Sequence, residues 1–340
     1  MKPLQPLFAV ILAAGKGTRM KSDLAKVLHH VLFTPMIHHV VGTVHKIHPE
    51  KTIIIIGHQR QAVMEALSDL PVHFAIQEQQ LGTGHAVLCA EIAIQNDDGV
   101  VMILCGDTPL LKAETLQSMY QHHIDNDSVL TIMTTILDDP TNYGRIISDE
   151  CGKVLAIVEE KDASDKQKQI NEINAGIYCV NSKFLFETLK KVGNQNSQGE
   201  VYLTDIVSIA VAAGFNVEKF YNSCPKDILG VNSRVELALA HKEIQNRCNQ
   251  QLMFAGVTML DPDTTAVSQT VTIGRDTILE AGVRITGNSS IGSSCQIGAG
   301  ALLHDCCLAD NVVIGAYSYL EGITYPEKAI IAPFSIDKKS

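Results

Sequence analysis

The chain contains no tryptophan, and aromatic residues fill only 5% of its 340 positions. Its interior must therefore be built from aliphatic side chains. Basic residues are in deficit, 27 Lys and Arg against 37 Asp and Glu, for a formal charge of −10. That excludes a general nucleic-acid surface, and an anionic ligand would need a local basic pocket. No apolar run reaches ~18 residues, so no transmembrane helix is expected. The nine cysteines include no CxxC pair, and Cys306 and Cys307 are sequence neighbours. Reduced thiols in a cytoplasmic protein are the expectation, most of them as small core filler. Lys2 followed by Leu7–Ala14 has the outline of a short signal peptide. The apolar run is brief and feeds directly into a Gly-rich basic loop, which argues against secretion.

What is present suits a large aliphatic core. Apolar residues make up 46% of the chain and charged residues 19%. The length exceeds one ordinary core, so two domains are expected. Phe8–Ala13, Thr52–Ile56, Val72–Ile76 and Val100–Cys105 are continuous apolar runs of strand length, the pattern of strands buried on both faces. Helical stretches alternate with them. One opens at Thr34-Pro35 with Thr34 as N-cap; Gly84–Gln95 and Lys112–His123 follow. This alternation predicts an α/β fold with a mostly parallel, doubly wound sheet, whose ligands bind at the carboxyl ends of the strands.

A helix over about Ser233–Ala255 reads as a connector, with Ser233 and Glu236 as capping box and Gly256 as terminator. Leu237, Ala240, Ile244, Cys248 and Leu252 form its apolar face. Beyond it, Ile273, Leu279, Ile285, Ile291, Ile297 and Leu303 recur every six residues. After a one-residue slip the period resumes at Leu308, Ile314 and Leu320. Two residues before each of the first six stands a small or β-branched residue: Val271, Thr277, Val283, Ser289, Cys295, Ala301. A short left-handed parallel β-helix fits this repeat. The expected boundaries are 1–229 for the α/β domain, 230–256 for the connector helix, 257–325 for the β-helix and 326–340 for a tail.

Three loops after predicted strands carry chemistry. Leu12-Ala13-Ala14-Gly15-Lys16-Gly17-Thr18-Arg19-Met20 is neither a dinucleotide fingerprint, lacking the third glycine, nor a Walker A loop. Its small residues nevertheless let backbone N–H groups approach an oxyanion, and Lys16, Arg19, Lys21 and Lys26 face only Asp23 in acidity. In Gln77-Glu78-Gln79-Gln80-Leu81-Gly82-Thr83, a glutamine amide matches the imide edge of a pyrimidine, and Gly82 leaves room for a flat base; the alternative is a polar helix start. Asp107 ends an apolar strand, where a carboxylate needs a partner; a hard cation on phosphates and a turn cap are equal readings. Asn232, before the long helix, extends its cap or offers a neutral oxygen beside Asp107. His29, His30, His38, His39, His45 and His48 show no zinc spacing and read as solvated helix-face residues.

Taken together, the motifs LAAGKGTRM, QLGTGHA, GDTPLL, YGRI, VEEKDA, EINAGIY, GEVYLTD and GVNSR run in one order from about residue 8 to 260. Here the chain resembles the bacterial N-acetylglucosamine-1-phosphate uridylyltransferases, the pyrophosphorylase half of a bifunctional enzyme that also acetylates glucosamine-1-phosphate. The resemblance implies a Rossmann-like nucleotidyltransferase domain, a long helix and a trimerising left-handed β-helix. It also implies a cytoplasmic enzyme making UDP-N-acetylglucosamine, a precursor of peptidoglycan and lipopolysaccharide, from UTP and the sugar-1-phosphate. By the same resemblance Leu12, Ala13, Ala14, Gly15, Gly17, Gln77, Gly82 and Thr83 bind the nucleotide. Arg19 and Lys26 act on the phosphates, Asp107 and Asn232 ligate Mg²⁺, and Gly144, Glu159 and Asn174 bind the sugar.

Three positions depart from the pattern: Ala25 for the proline before the lysine, Cys105 for a tyrosine, and Ala175 for threonine or serine. Glu321 stands where the pattern has an arginine, and the family's acetyl-transfer histidine, lysines and asparagine belong to turns beyond Ser340. No acetyltransferase activity is expected, and the divergence after Tyr317 and the Pro326–Pro333 ending read as a natural short form. The alternatives are a sister enzyme using another sugar or nucleotide, and a non-catalytic regulatory subunit of the same fold. Retention of Arg19, Lys26, Asp107 and Asn232 argues against the second.

Overall fold

A computed structural model describes residues 5–94 and 98–339. Lys2 and Gln95, invoked above, lie outside these residues. By internal contacts the chain forms two compact units, 1–29 with 35–234 and 30–34 with 235–340.

The first unit is built on a nine-stranded sheet. Its strands are β1 (Leu7–Leu12), β2 (Lys51–Ile56), β3 (His73–Ile76), β4 (Val100–Cys105), β5 (Leu130–Ile136), β6 (Arg145–Ser148), β7 (Val154–Val158), β8 (Glu172–Asn181) and β9 (Val217–Tyr221). The order is β9-β5-β8-β4-β1-β2-β3, with β6 joined to β8 and β7 joined to β6. Pairs among β4, β1, β2 and β3 are parallel, as is β9 with β5, whereas β8 runs antiparallel to both its neighbours. The continuous apolar runs explain the sheet's depth. Ala9, Ile11, Ile54, Ile56, Met102 and Leu104 enter one buried cluster, while Phe8, Val10, Ile53, Ile55, Val101 and Ile103 enter the cluster on the opposite face. Helices cover both faces, among them α1 (Met36–His45), α2 (Arg60–Ala66), α3 (Thr83–Leu88), α4 (Glu91–Ile94) and α5 (Ala113–Asp125).

Four expectations change within this unit and at its end. Thr34-Pro35 forms a two-residue strand, so α1 opens at Met36 with extended Pro35 as its N-cap and no side-chain cap bond. The helix expected over Gly84–Gln95 is broken by a turn at residues 89–90 into α3 and α4. The first unit runs past residue 229 because the Val231 N–H donates to the Asp107 carbonyl (2.8 Å), and the long helix is Arg234–Phe254. Of the early histidines, His29 and His39 are buried rather than solvated, His29 Nδ1 lying 3.2 Å from Arg234 Nη1.

The second unit is a left-handed parallel β-helix of three stacked sheets, with the long helix in the same contact unit. Leu279, Ile285, Ile291, Ile297, Leu303, Leu308, Ile314 and Leu320 fill its axis, and Thr277, Val283, Ser289, Cys295 and Ala301 are buried with them. The buried hydroxyls are satisfied: Thr277 Oγ1 donates to the Gly292 carbonyl (2.8 Å), and the Cys306 N–H donates to Ser289 Oγ (3.0 Å). Glycine follows the aliphatic position because the next coil leaves no room. A Cβ on Gly274 would stand 2.6 Å from the Ser293 nitrogen, and one on Gly292 2.6 Å from the Ala309 carbonyl carbon. Coil-to-coil partners lie 18 residues apart at Thr272–Ser290 and 17 apart at Ser290–Cys307, the slip read in the sequence. The coils do not stop at 325. Ile330–Ile331 pairs with Val313–Ile314, and Ile336–Lys338 pairs with Tyr319–Glu321, so the expected tail is a further coil. Its strands are held by stacking on the previous coil, which the sequence of the tail alone does not reveal.

Candidate active site

Strand order reverses direction about β1: β2 and β3 are laid on one side, β4 on the other. Such a switch point opens a crevice at the strands' carboxyl ends. A cavity of about 490 Å³ occupies it, lined by Leu12–Arg19, Lys26, Val27, Gln77, Gln80, Gly82, Thr83, Ala86, Cys105, Asp107, Glu200 and Asn232. Every residue expected at the nucleotide, the phosphates and the cation is on that wall. Gly144, Glu159 and Asn174 are not; they gather by themselves.

The charged centre is compact. Lys26 Nζ donates to Asp107 Oδ2 and to Asn232 Oδ1 (2.6 Å), which also accepts from Arg19 Nη2 (2.8 Å). Asp107 and Asn232 come from distant loops and converge on one ammonium. Gly230 makes this possible, since a Cβ there would sit 3.1 Å from Asp107 Oδ1. Gly17, at φ 59, lies against the lysine stem; a Cβ would stand 2.6 Å from Lys26 Cβ. The ammonium marks a point where two oxygens already favour a cation. One carboxylate and one amide oxygen fit a hard divalent ion that takes the rest of its shell from phosphates and water. Among the described residues no cluster of three His, Cys, Asp or Glu forms an all-protein metal cage.

The glutamine loop is fixed from outside. Gln77 is buried and donates through Nε2 to the Gly82 carbonyl (3.0 Å). Gly82 is required at φ 110, because a Cβ would collide with the Val201 backbone. The Gly84 N–H donates to the Val201 carbonyl and the Val201 N–H to the Leu81 carbonyl, each at 2.8 Å, while Thr83 Oγ1 accepts the Leu203 N–H (3.0 Å). The same segment reaches the second cluster, where Thr204 Oγ1 donates to Glu159 Oε1 (3.2 Å). Glu200 on the cavity wall, and Thr204 behind Glu159, were missed by the sequence reading. Their signal was GEVYLTD, a motif seen but given no role.

At the second cluster a bulge in β8 does the placing. Register against β5 shifts between Asn174 and Tyr178, with Gly176 at φ 74. Asn174 Oδ1 accepts the Gly176 N–H (3.0 Å), and its Nδ2 donates to Tyr178 Oη (2.6 Å). A Cβ on Gly144 would lie 3.5 Å from Glu159 Oε2 and 3.7 Å from Asn174 Cβ, so the three residues share one spot. Burial raises the Glu159 carboxyl above the ordinary range; the Thr204 hydroxyl offsets this, and the charges of Asp162, Asp205 and Glu200 add to it. Two departures from the family pattern meet at the bulge: Cys105 Sγ points at the Gly176 carbonyl (3.7 Å), next to Ala175. Burial, with the nearby Asp107 charge, pushes the Cys105 thiol up to about 12, which disfavours the thiolate.

A nucleotidyl transferase family profile matches residues 8–228. "Bifunctional protein GlmU" of Desulfotalea psychrophila is 54% identical over 324 residues, covering 95% of this chain and 96% of that protein. Proteins of the same name from an Exiguobacterium species and from Geotalea daltonii are 45% and 46% identical, covering 96% and 89% of this chain and 72% and 67% of theirs. The chain belongs to the nucleotidyl transferase family and, within it, to the GlmU group of sugar-1-phosphate nucleotidyltransferases.

Proposed function

We propose that this chain is a uridylyltransferase that converts UTP and N-acetylglucosamine-1-phosphate into UDP-N-acetylglucosamine and pyrophosphate, with Mg²⁺ as cofactor. The observation that carries the reading is the convergence of Lys26, Asp107, Asn232 and Arg19 on one wall of the cavity. A phosphate oxygen of the sugar phosphate attacks the α-phosphorus of UTP in line. The bond from that phosphorus to the bridging oxygen breaks, and pyrophosphate leaves with the electron pair. No covalent enzyme intermediate is needed, so positioning and charge neutralisation carry the rate. Backbone N–H groups of Ala13–Gly17 cradle the phosphates, and Gln77, Gly82 and Thr83 hold the uracil. Lys26 exchanges Asp107 and Asn232 for phosphate oxygens, and Arg19 neutralises the same region. Asp107 and Asn232 would then hold Mg²⁺, which when bound supplies charge neutralisation on the reacting phosphates. Glu159, Asn174 and the Gly144 backbone receive the N-acetyl sugar.

The relatives are named bifunctional, yet we assign this chain the nucleotidyl transfer alone. Glu321, where the resemblance expects arginine, accepts from Tyr319 Oη (2.9 Å) and pairs with Lys338 (3.4 Å). Release of coenzyme A thiol from acetyl-coenzyme A with glucosamine-1-phosphate would overturn that assignment. We assign the working form as a homo-oligomer through the β-helix, a trimer, which light scattering tests. A cytoplasmic location fits nine free cysteines. Among the described residues no helix is long and apolar enough to cross a membrane.

A second reading keeps the chemistry and changes the sugar; Cys105 and Ala175 at the bulge favour it. One experiment separates the readings: pyrophosphate release with Mg²⁺ and UTP against a panel of sugar-1-phosphates, with CTP, GTP and dTTP as nucleotide controls. Fastest release with N-acetylglucosamine-1-phosphate and UTP is expected. Release only with another pair selects the second reading, and silence from folded protein overturns both.

A further inference from the structure

The turn after β2 lines no part of the cavity, yet it grips two segments that do. The His58 N–H donates to the Ala14 carbonyl (3.3 Å) in the phosphate loop. The next residue, Gln59, sits at φ 52 and ψ 37, a left-handed conformation unfavourable for a residue with a side chain. Glycine would fit there freely, so the strain that glutamine carries at this position is offset only if its amide is engaged. That amide reaches across 34 sequence positions. Its Oε1 accepts the Ala25 N–H (2.7 Å), and its Nε2 donates to the Asp23 carbonyl. One planar group thus ties down both a carbonyl and an N–H in the three residues before Lys26.

Ala25 itself explains why a tie is needed. It is buried, at φ −52 and ψ 134, and it is the N-cap of the single 3₁₀ turn Lys26–Leu28. A proline ring imposes a φ of about −65°. In the pattern this chain resembles, proline precedes the lysine; it fixes φ covalently and offers no N–H. Alanine leaves φ free and exposes an N–H that, buried, needs a partner. Gln59 supplies the partner and the restraint together.

We propose that Gln59 is a positioning residue for Lys26, replacing through two hydrogen bonds the backbone restraint that a proline at position 25 would impose. The inference rests on Lys26 acting on the nucleotide phosphates. It involves no chemistry of Gln59 itself, whose amide hydrogen-bonds to backbone.

The test uses the full chain with three variants: Gln59→Gly, the pair Ala25→Pro with Gln59→Gly, and Lys26→Ala. Glycine relieves the left-handed strain, so Gln59→Gly keeps the fold, which thermal melting checks. Proline is introduced only in the pair, because its Cδ would otherwise press on Gln59 Oε1. Gln59→Gly is expected to lower kcat/KM for the nucleotide about tenfold, with KM for the sugar phosphate unchanged. The pair is expected to return within about threefold of the parent, the ring restoring the φ that the amide held. Gln59→Gly at parental activity while Lys26→Ala is inactive overturns the proposal. So does a loss that proline fails to rescue, which would make Gln59 a general structural residue. Full activity in Lys26→Ala overturns the role of Lys26 instead, and the proposal with it.

Discussion

The two units bring residues together by opposite means. In the nucleotidyltransferase unit, Arg19 and Asn232 meet across 213 positions, and Lys26 meets Asp107 across 81. In the β-helix, ladder partners lie 17 or 18 positions away, coil after coil. The first arrangement frees loop ends from the sheet's own hydrogen bonding, so polar side chains converge on a cavity. The second commits each side chain to the coil above or below, and what is left over is a stacked surface. Convergence concentrates chemistry; repetition spreads load.

The largest effect expected from breaking this division is at Asp107. Asp107→Ala should lower turnover about a hundred- to a thousandfold while the melting temperature stays near that of the parent, because in the proposed mechanism the carboxylate serves the reacting phosphates rather than the core. A variant with near-parental pyrophosphate release would remove Asp107 from the site. The converse is Gly292→Val, which drives a side chain into the Ala309 backbone. A cost of about 1–3 kcal/mol is expected, with hydrogen exchange rising in the coils around residues 290 and 308 and turnover at 25 °C unchanged. If turnover falls in step with exchange, the units are not energetically separate.

Smaller effects come from titration within the first unit. Glu159 is held above its ordinary 4.5 by burial. In the proposed function its anionic form accepts sugar hydroxyls, so KM for the sugar phosphate should climb as pH falls, starting above the point where an exposed glutamate would respond. Glu159→Gln should show a higher KM that no longer varies over that range. A variation that survives the substitution belongs to another group. His123 packs against Thr131 Oγ1 (2.9 Å), and burial, with the charge of His122, lowers its pKa to about 4 from 6.5. The folded state therefore disfavours the proton. Stability from this site is complete above 6.5 and drains away as pH falls from 6.5 towards 4. Melting curves across that window should flatten in His123→Gln, and an unchanged slope would refute the assignment.

How far the sequence is legible follows the same division. Arg19, Lys26, Gln77, Asp107 and Asn232 stand within a few residues of strand or helix ends, where loop chemistry is local, and all five line the cavity. Gln59 gave no local sign, and Glu200 only its place in GEVYLTD, which by itself points to no role. The first owes its role to backbone 34 residues away, the second to the pairing of residues 81–84 with Val201. Thr34-Pro35 carried a true capping signal, but strand pairing claimed those residues first. In the β-helix, the hexapeptide period located the axis from Leu279 to Leu320 but faded where Ile330 and Ile336 turn outward. There the earlier coil supplies the template, and the strand's own sequence has little say.

One irregularity of the β-helix has a consequence for its evolution. Leu308 follows Leu303 by five residues, and one coil later Tyr325 follows Leu320 by five again, with Tyr325 packed against the same core. The shortened corner lies directly beneath its own copy, so the prism carries a notch along one edge. The preceding coil keeps six residues from Ile285 to Ile291 and still pairs with the shorter one on both sides of the corner, so the change of length is absorbed at a single junction and then shared by the coil that follows. A single residue inserted after Asp305 only moves this junction one coil along, so it should cost less stability than one inserted after Gly322, which leaves a short corner between two long ones; melting temperatures in the opposite order would overturn this. Coil length in this unit is thus set by where such junctions fall, and each added junction carries its own cost.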